Sequence, residues 1–176
     1  MLYRILIAIL AILGAILTYA FLQPEDYRIE RSLSINKPAE IIFPYLNNSK
    51  MINEWAPWPE IDPELIMSYS GFAEGVGAKS SWDSPGQMGA GSATVVESIP
   101  NQLVRTQLEY TRPFSMLQEA EMSISTDGTQ STVKWAVKGR NTFIQRVVCI
   151  FMDMDKMVGG NFESGLSKLK ALVEKI

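Results

Sequence analysis

The sequence predicts an α+β fold: one curled antiparallel sheet of about seven strands, with two short helices after the first strand and a long helix at the end. Three observations carry this expectation. Residues 65–137 break into short runs of strand character separated by turn residues. The stretch from about Thr142 to Lys175 changes to helical spacing. Ahead of both, Ile5–Leu22 is a run of 18 residues without a charge, which suits a helix apart from the sheet.

That first run comes first in the chain. As a helix at 1.5 Å per residue it measures about 27 Å, close to the ~30 Å hydrocarbon core of a bilayer. It is apolar all round, so a buried core helix fits it badly. Residues 1–23 are therefore expected to form a transmembrane anchor and residues 24–176 a single domain. A cleaved signal is the alternative, since Thr18-Tyr19-Ala20 resembles a small-x-small site. Arg4 precedes the run and Glu25-Asp26 follow it. The positive-inside rule then places the amino terminus in the cytoplasm and the domain outside it.

Tyr27–Ile35 alternates, as a strand should. Asn36-Lys37-Pro38 reads as a helix start whose apolar side is Ile41, Ile42, Tyr45 and Leu46. A second short helix is expected over Ser49–Trp55, stopped by Pro57 and Pro59. Strands follow at Leu65–Ser70, Gly77–Trp82, Gly91–Ile99, Leu103–Tyr110, Ser115–Ser125 and Thr132–Lys138. Asp127-Gly128 marks a tight hairpin between the last two. In the tail, Ile144, Val147, Phe151, Met154, Val158, Phe162, Leu166, Leu169 and Val173 form one apolar stripe. Gly159-Gly160 interrupts it and predicts a bend, a close approach of another backbone, or a break into two helices.

Composition excludes much chemistry. There is no histidine and one cysteine, Cys149, so no Ser-His-Asp or Cys-His pair and no Cys/His zinc site can be assembled. Without Arg4 the chain carries 15 Lys+Arg against 19 Asp+Glu and no basic cluster. Nucleic acid is therefore not an expected partner. Ser131-Thr132-Val133-Lys134 and Ser167-Lys168-Leu169-Lys170 match S-x-x-K but lack its companion motifs. Gly86, Gly89 and Gly91 lead into a strand, so they form no phosphate cradle.

Strand, two short helices, six strands and a long helix is the helix-grip order. Trp55-Ala56-Pro57-Trp58, the run Tyr69-Ser70-Gly71 with Gly75-Val76-Gly77-Ala78, and Phe151–Met157 with Phe162–Leu166 resemble the SRPBCC proteins. These are the START-like polyketide cyclase/dehydrase and lipid-transport superfamily. The resemblance covers roughly residues 27–176 and is closest to bacterial members with an N-terminal hydrophobic segment. It implies a sheet curled around the terminal helix with a cavity between them and, with the anchor, a place on the periplasmic side of a bacterial inner membrane; no cofactor is expected.

A bent sheet facing a helix leaves room for an apolar ligand when side chains do not fill the gap. The expected lining is Trp58, Trp82, Tyr110, Phe114, Met122, Trp135, Met154 and Phe162, with Met157 and Trp55 towards a mouth. The expected function is to bind a hydrophobic small molecule, lipid- or isoprenoid-like, beside a membrane. Two alternatives stand: a cyclase/dehydrase-type enzyme, and a protein-binding module with a filled core and an exposed patch around Trp55–Trp58. Asp153 and Asp155 point about 200° apart on a helix and cannot form one acid/base pair. The enzyme reading needs Asp155 or Glu54 inside the cavity, where burial would raise its pKa.

Overall fold

The structure, a computed structural model, describes residues 2–176. Helix α1 (Leu2–Leu22) leads into strand β1 (Asp26–Ile35), helix α2 (Ala39–Asn47), a 3₁₀ turn (Met51–Glu54) and a single helical turn, α3 (Trp58–Ile61). Six strands follow: β2 (Ile66–Gly71), β3 (Ala78–Asp83), β4 (Ala90–Ile99), β5 (Leu103–Arg112), β6 (Met116–Asp127) and β7 (Gln130–Arg140). Helices α4 (Phe143–Phe151) and α5 (Met154–Val173) close the chain.

The seven strands form one antiparallel sheet in the order β1-β7-β6-β5-β4-β3-β2. Only the β1–β7 pairing joins strands far apart in sequence; every other pair is a hairpin of neighbours. Alternation settles the two faces. Ile29, Ile35, Val104, Met122, Ile124, Val133 and Val137 point inward and pack on Leu166, Leu169 and Val173 of α5 and on Ile42 and Leu46 of α2. The outer face is a charge ladder. Arg105 meets Glu97, Glu119 and Glu121, and Lys138 meets Glu119 at 2.7 Å. Arg105 thus lies outward, as alternation requires.

Three elements differ from the sequence reading. The short helix expected over Ser49–Trp55 is a 3₁₀ turn, Met51–Glu54, which does stop ahead of Pro57; a further turn, α3, then begins with Pro59 in its first positions, where a missing N–H costs nothing. At the β6–β7 hairpin Asp127 pairs with Gln130, so the two loop residues are Gly128 and Thr129, with Gly128 at φ 63°.

The third difference lies in the tail. It is two helices, but the break falls at Met152-Asp153, not at Gly159-Gly160. Met152 is extended (φ −125°, ψ 123°), and the Asp153 carboxylate accepts the Lys156 N–H at 2.9 Å to cap α5. Thr142 and Gln145 cap the start of α4 reciprocally. The predicted single stripe is therefore divided: Phe162, Leu166, Leu169 and Val173 are core, whereas Ile144 and Phe151 are exposed.

Helix α1 is docked to the body by its last turn. Ala20 is fully buried, and Arg146 of α4 donates to the carbonyls of Phe21 (3.2 Å) and Gln23 (3.0 Å) and pairs with Glu25. A guanidinium at a helix C-terminus satisfies orphan carbonyls and complements the dipole. Apart from Ala20 and half-buried Ile16, residues 3–22 of α1 are exposed, and Tyr3–Leu22 is long and apolar enough to cross a membrane, with a mean hydropathy of 2.7.

Candidate functional site

Two aromatic groups sit on the inner face of the sheet. In the first, Trp135 of β7 stacks on Phe162 of α5, with ring centroids 4.3 Å apart, and takes the edges of Trp55 at 5.2 Å and Trp58 at 5.7 Å. Trp55 is buried and donates its Nε1–H to the Tyr45 carbonyl at 3.0 Å. It is a core residue, not a mouth residue, and Trp58 is only half-buried beside it. The helix passes close enough that a β-carbon at Gly165 would lie 2.9 Å from the Trp135 ring. At this end the gap between sheet and helix is filled.

The second group is Trp82 and Tyr110, edge to face at 5.2 Å, with the Trp82 Nε1–H donated to the Met88 carbonyl at 3.1 Å. Here the packing is looser. Helix α5 runs closest to β1 and β7, and the inward positions Met67, Ser80, Ala93, Leu108 and Tyr110 on β2–β5 stay half-exposed. Tyr110 lies deep enough for burial, with Tyr27 nearby, to push its phenol up to about 12. It nevertheless keeps accessible surface. A side chain that is both deep and accessible borders a space. Tyr27 is shifted upward too, mainly by burial, although Gln118 bonds its hydroxyl. The Gln145 side chain reaches the Met116 sulfur at 3.4 Å beside them. The result is an apolar strip with two neutral phenols at the end that adjoins α4.

The eight residues expected to line a cavity thus occupy different places. Trp135, Phe162 and Met122 are buried in the core, with Met154 packed against it. Trp58 flanks that cluster, and Trp82 and Tyr110 belong to the looser end. Phe114 lies outside both, 76% exposed on the β5–β6 turn. Sequence reasoning passed over Met67, Ala93 and Leu108, whose inward positions follow from register alone. Met157 is exposed on α5.

Carboxylates are absent from the strip's named positions. Asp155 is exposed, and the Arg31 guanidinium beside it holds its carboxyl below the ordinary value. That is the reverse of the shift a buried general acid requires. Glu54 is exposed as well. Arg112 pairs with Asp83. Among the described residues no group of three or more His, Cys, Asp or Glu could hold a metal. An open depression of about 700 Å³ lies along β1, β7 and β6, where Tyr27, Leu117 and Gln118 line it together with the charged residues Asp26, Arg28, Glu119, Lys138 and Arg140.

Solved structures similar to this chain include the Aha1 dimer from Colwellia psychrerythraea, at 20% identity and a TM-score of 0.60, covering 84% of this chain and 96% of that one. The chain has the helix-grip, START-like fold. It is similar as well to StfQ, the di-domain ARO/CYC protein of the steffimycin biosynthetic pathway, at 11% identity and a TM-score of 0.60. That match covers 86% of this chain and 51% of StfQ. Ara h 8.0201 matches at 10% identity and a TM-score of 0.56, covering 86% and 99%. No protein-family model and no curated protein matches the chain.

Proposed function

We propose that this protein is a membrane-anchored binding domain that takes a hydrophobic small molecule, lipid- or isoprenoid-like, between the sheet and the C-terminal helices. In this reading residues 1–23 are the anchor, with the amino terminus in the cytoplasm, and residues 24–176 are the binding domain outside it. Tyr110 carries the reading. Its side chain is deep enough in the fold for burial to push the phenol up to about 12, and it still keeps accessible surface. Apolar walls with a few polar tips are what a small-molecule site needs. Neutral phenols at one end could donate to a carbonyl or hydroxyl of an otherwise apolar ligand. Among the similar structures, StfQ, an ARO/CYC protein of the steffimycin biosynthetic pathway, is in keeping with a small-molecule site on this fold.

Native mass spectrometry of the full chain, released from detergent micelles, tests the proposal. The expected result is an extra mass that is lost on denaturation, and lost also in Ala93→Trp, where the added indole fills the strip. A wild-type chain of bare polypeptide mass, with no uptake of a fluorescent fatty acid or isoprenoid alcohol, would overturn it.

The two other readings have less to stand on. A cyclase-type enzyme would need an ionised or readily ionised group on the strip, and its phenols are pushed away from ionisation. A partner surface at Trp55–Trp58 would need Trp55 exposed, and it is buried.

A further inference from the structure

Helix α4 carries an apolar stripe that nothing within the chain covers. Ile144 is 74% exposed and Phe151 is 70% exposed, with Val148 and Met152 open beside them. At 100° per residue, Ile144, Val148 and Phe151 fall within about 60° of one another, and Arg146 points the opposite way, into the body. Residues 142–152 contain no carboxylate, and their single charge is the buried Arg146.

Two further features converge on this end of the molecule. Helix α1 is clasped to α4 by its last turn, through Ala20 and the Arg146 hydrogen bonds. The β5–β6 turn with exposed Phe114 lies there as well, because Gln145 of α4 bonds Met116 at the start of β6. The stripe of α4 and the exposed Phe114 therefore lie at the same end of the molecule as the C-terminal end of α1, against which α4 packs.

We infer that α4 lies in the membrane interface, its Ile144–Val148–Phe151 stripe seated among lipid headgroups and upper acyl chains next to the point where α1 leaves the bilayer. The inference rests on the anchor proposed above and adds the face that the domain turns to the lipid. A short amphipathic helix needs only to bury one face by about 5–10 Å to sit in this way. The lipid occupant follows from proximity: α4 packs against α1 where that helix ends, so the medium around the last turns of α1 lies beside α4. The Tyr110 end of the strip adjoins the same helix, so an apolar ligand would pass between bilayer and protein with little exposure to water.

The test is depth-dependent quenching in the full chain, reconstituted into phosphatidylcholine–phosphatidylglycerol vesicles that contain nitroxide-labelled lipids. A Cys149→Ser background receives a single labelled cysteine at Leu10, Ile144, Phe151 or Phe72, and circular dichroism checks that each variant folds. Phe72 is equally exposed (71%) but lies on the β2–β3 turn at the far end of the sheet. Labels at Leu10, Ile144 and Phe151 should lose most of their fluorescence, those on α4 to shallow nitroxides, and the label at Phe72 should not. Quenching at Leu10 without quenching at Ile144 or Phe151 overturns the inference and leaves the anchor standing. No quenching at Leu10 overturns the anchor and this inference together. Equal quenching at Phe72 overturns the proposed orientation.

Discussion

Arg31 of β1 and Gly159 of α5 occupy one another's space: a β-carbon on the glycine would lie 2.1 Å from the arginine Nη2. The guanidinium reaches this position to bond both Asp155 oxygens, at 2.8 Å and 3.1 Å, the Asp155 carbonyl at 3.1 Å, and Glu163 at 2.7 Å. One planar cation thus spans two turns of the helix, which its five fixed donors suit it to do. The bare backbone at Gly159 is the condition for that approach.

Adjacent glycines should therefore respond oppositely to alanine. Nothing lies within 4 Å of a β-carbon added at Gly160, so Gly160→Ala should stabilise the helix by up to about 1 kcal/mol. Gly159→Ala must displace a held side chain and should destabilise by about 1–3 kcal/mol. Urea midpoints of the two variants check the sign.

The same cluster gives an acid dependence. Arg31 lowers the folded-state pKa of Asp155 from its ordinary 3.8. A depressed carboxyl contributes stability above its unfolded value, and that contribution is lost as pH falls through the folded value, so the loss begins below about pH 4. Other carboxyls share this limb, among them Glu25 and Glu174, also shifted down by their partners. The measurement is therefore a difference. Between pH 5 and pH 2, roughly the range in which such carboxyls protonate, the midpoint of Arg31→Met should fall less steeply than that of the wild type.

Alkali tests Tyr110. With its phenol pushed up to about 12, it stays protonated when exposed tyrosines have ionised. A raised folded value means the associated stability is complete below the unfolded value near 10 and is lost as pH rises towards the folded one. Ultraviolet titration should show a late-ionising tyrosine that disappears in Tyr110→Phe. A bound apolar ligand should delay it further.

The packed end of the molecule should behave as ordinary core. Trp135 contacts three aromatic rings and is buried. Trp135→Ala should cost about 3–5 kcal/mol, whereas Leu108→Ala, on the half-exposed strip, should cost less than that. Denaturation midpoints compare the two directly. If Leu108 proved as costly as Trp135, the strip would have to be as tightly filled as the core.

Much of the fold was legible because its signals are local. The seven strands were marked by alternation and by turn residues such as Pro100-Asn101 and Asp127-Gly128, and the structure keeps their boundaries to within a residue or two. The break in the tail was misplaced because glycine pairs are a visible sequence signal and a capping aspartate is a quieter one. Asp153, considered in the sequence only for its direction relative to Asp155, is the residue that starts α5. That shift of a few residues changed the status of Ile144 and Phe151 from core to surface. Of the aromatics named from period, Trp82, Tyr110 and Trp135 sit on the inner face of the sheet, whereas Phe114 sits exposed on a turn. Period alone does not distinguish Trp135, pressed between a helix and two indoles, from Tyr110, which stays half-exposed. That difference depends on where α5 crosses the sheet, and no local pattern encodes it.

Only Gln23, Pro24 and Glu25 separate the end of α1 from the first residue of β1. Three extended residues span at most about 10 Å, and Arg146 shortens even that reach by holding both sides of the junction. The helix is thus less a leash than an axle. A roll of α1 about its own axis turns the whole sheet with it, and a tilt of α1 tips the open strip up or down by a similar angle. Whatever grips that helix also steers the domain.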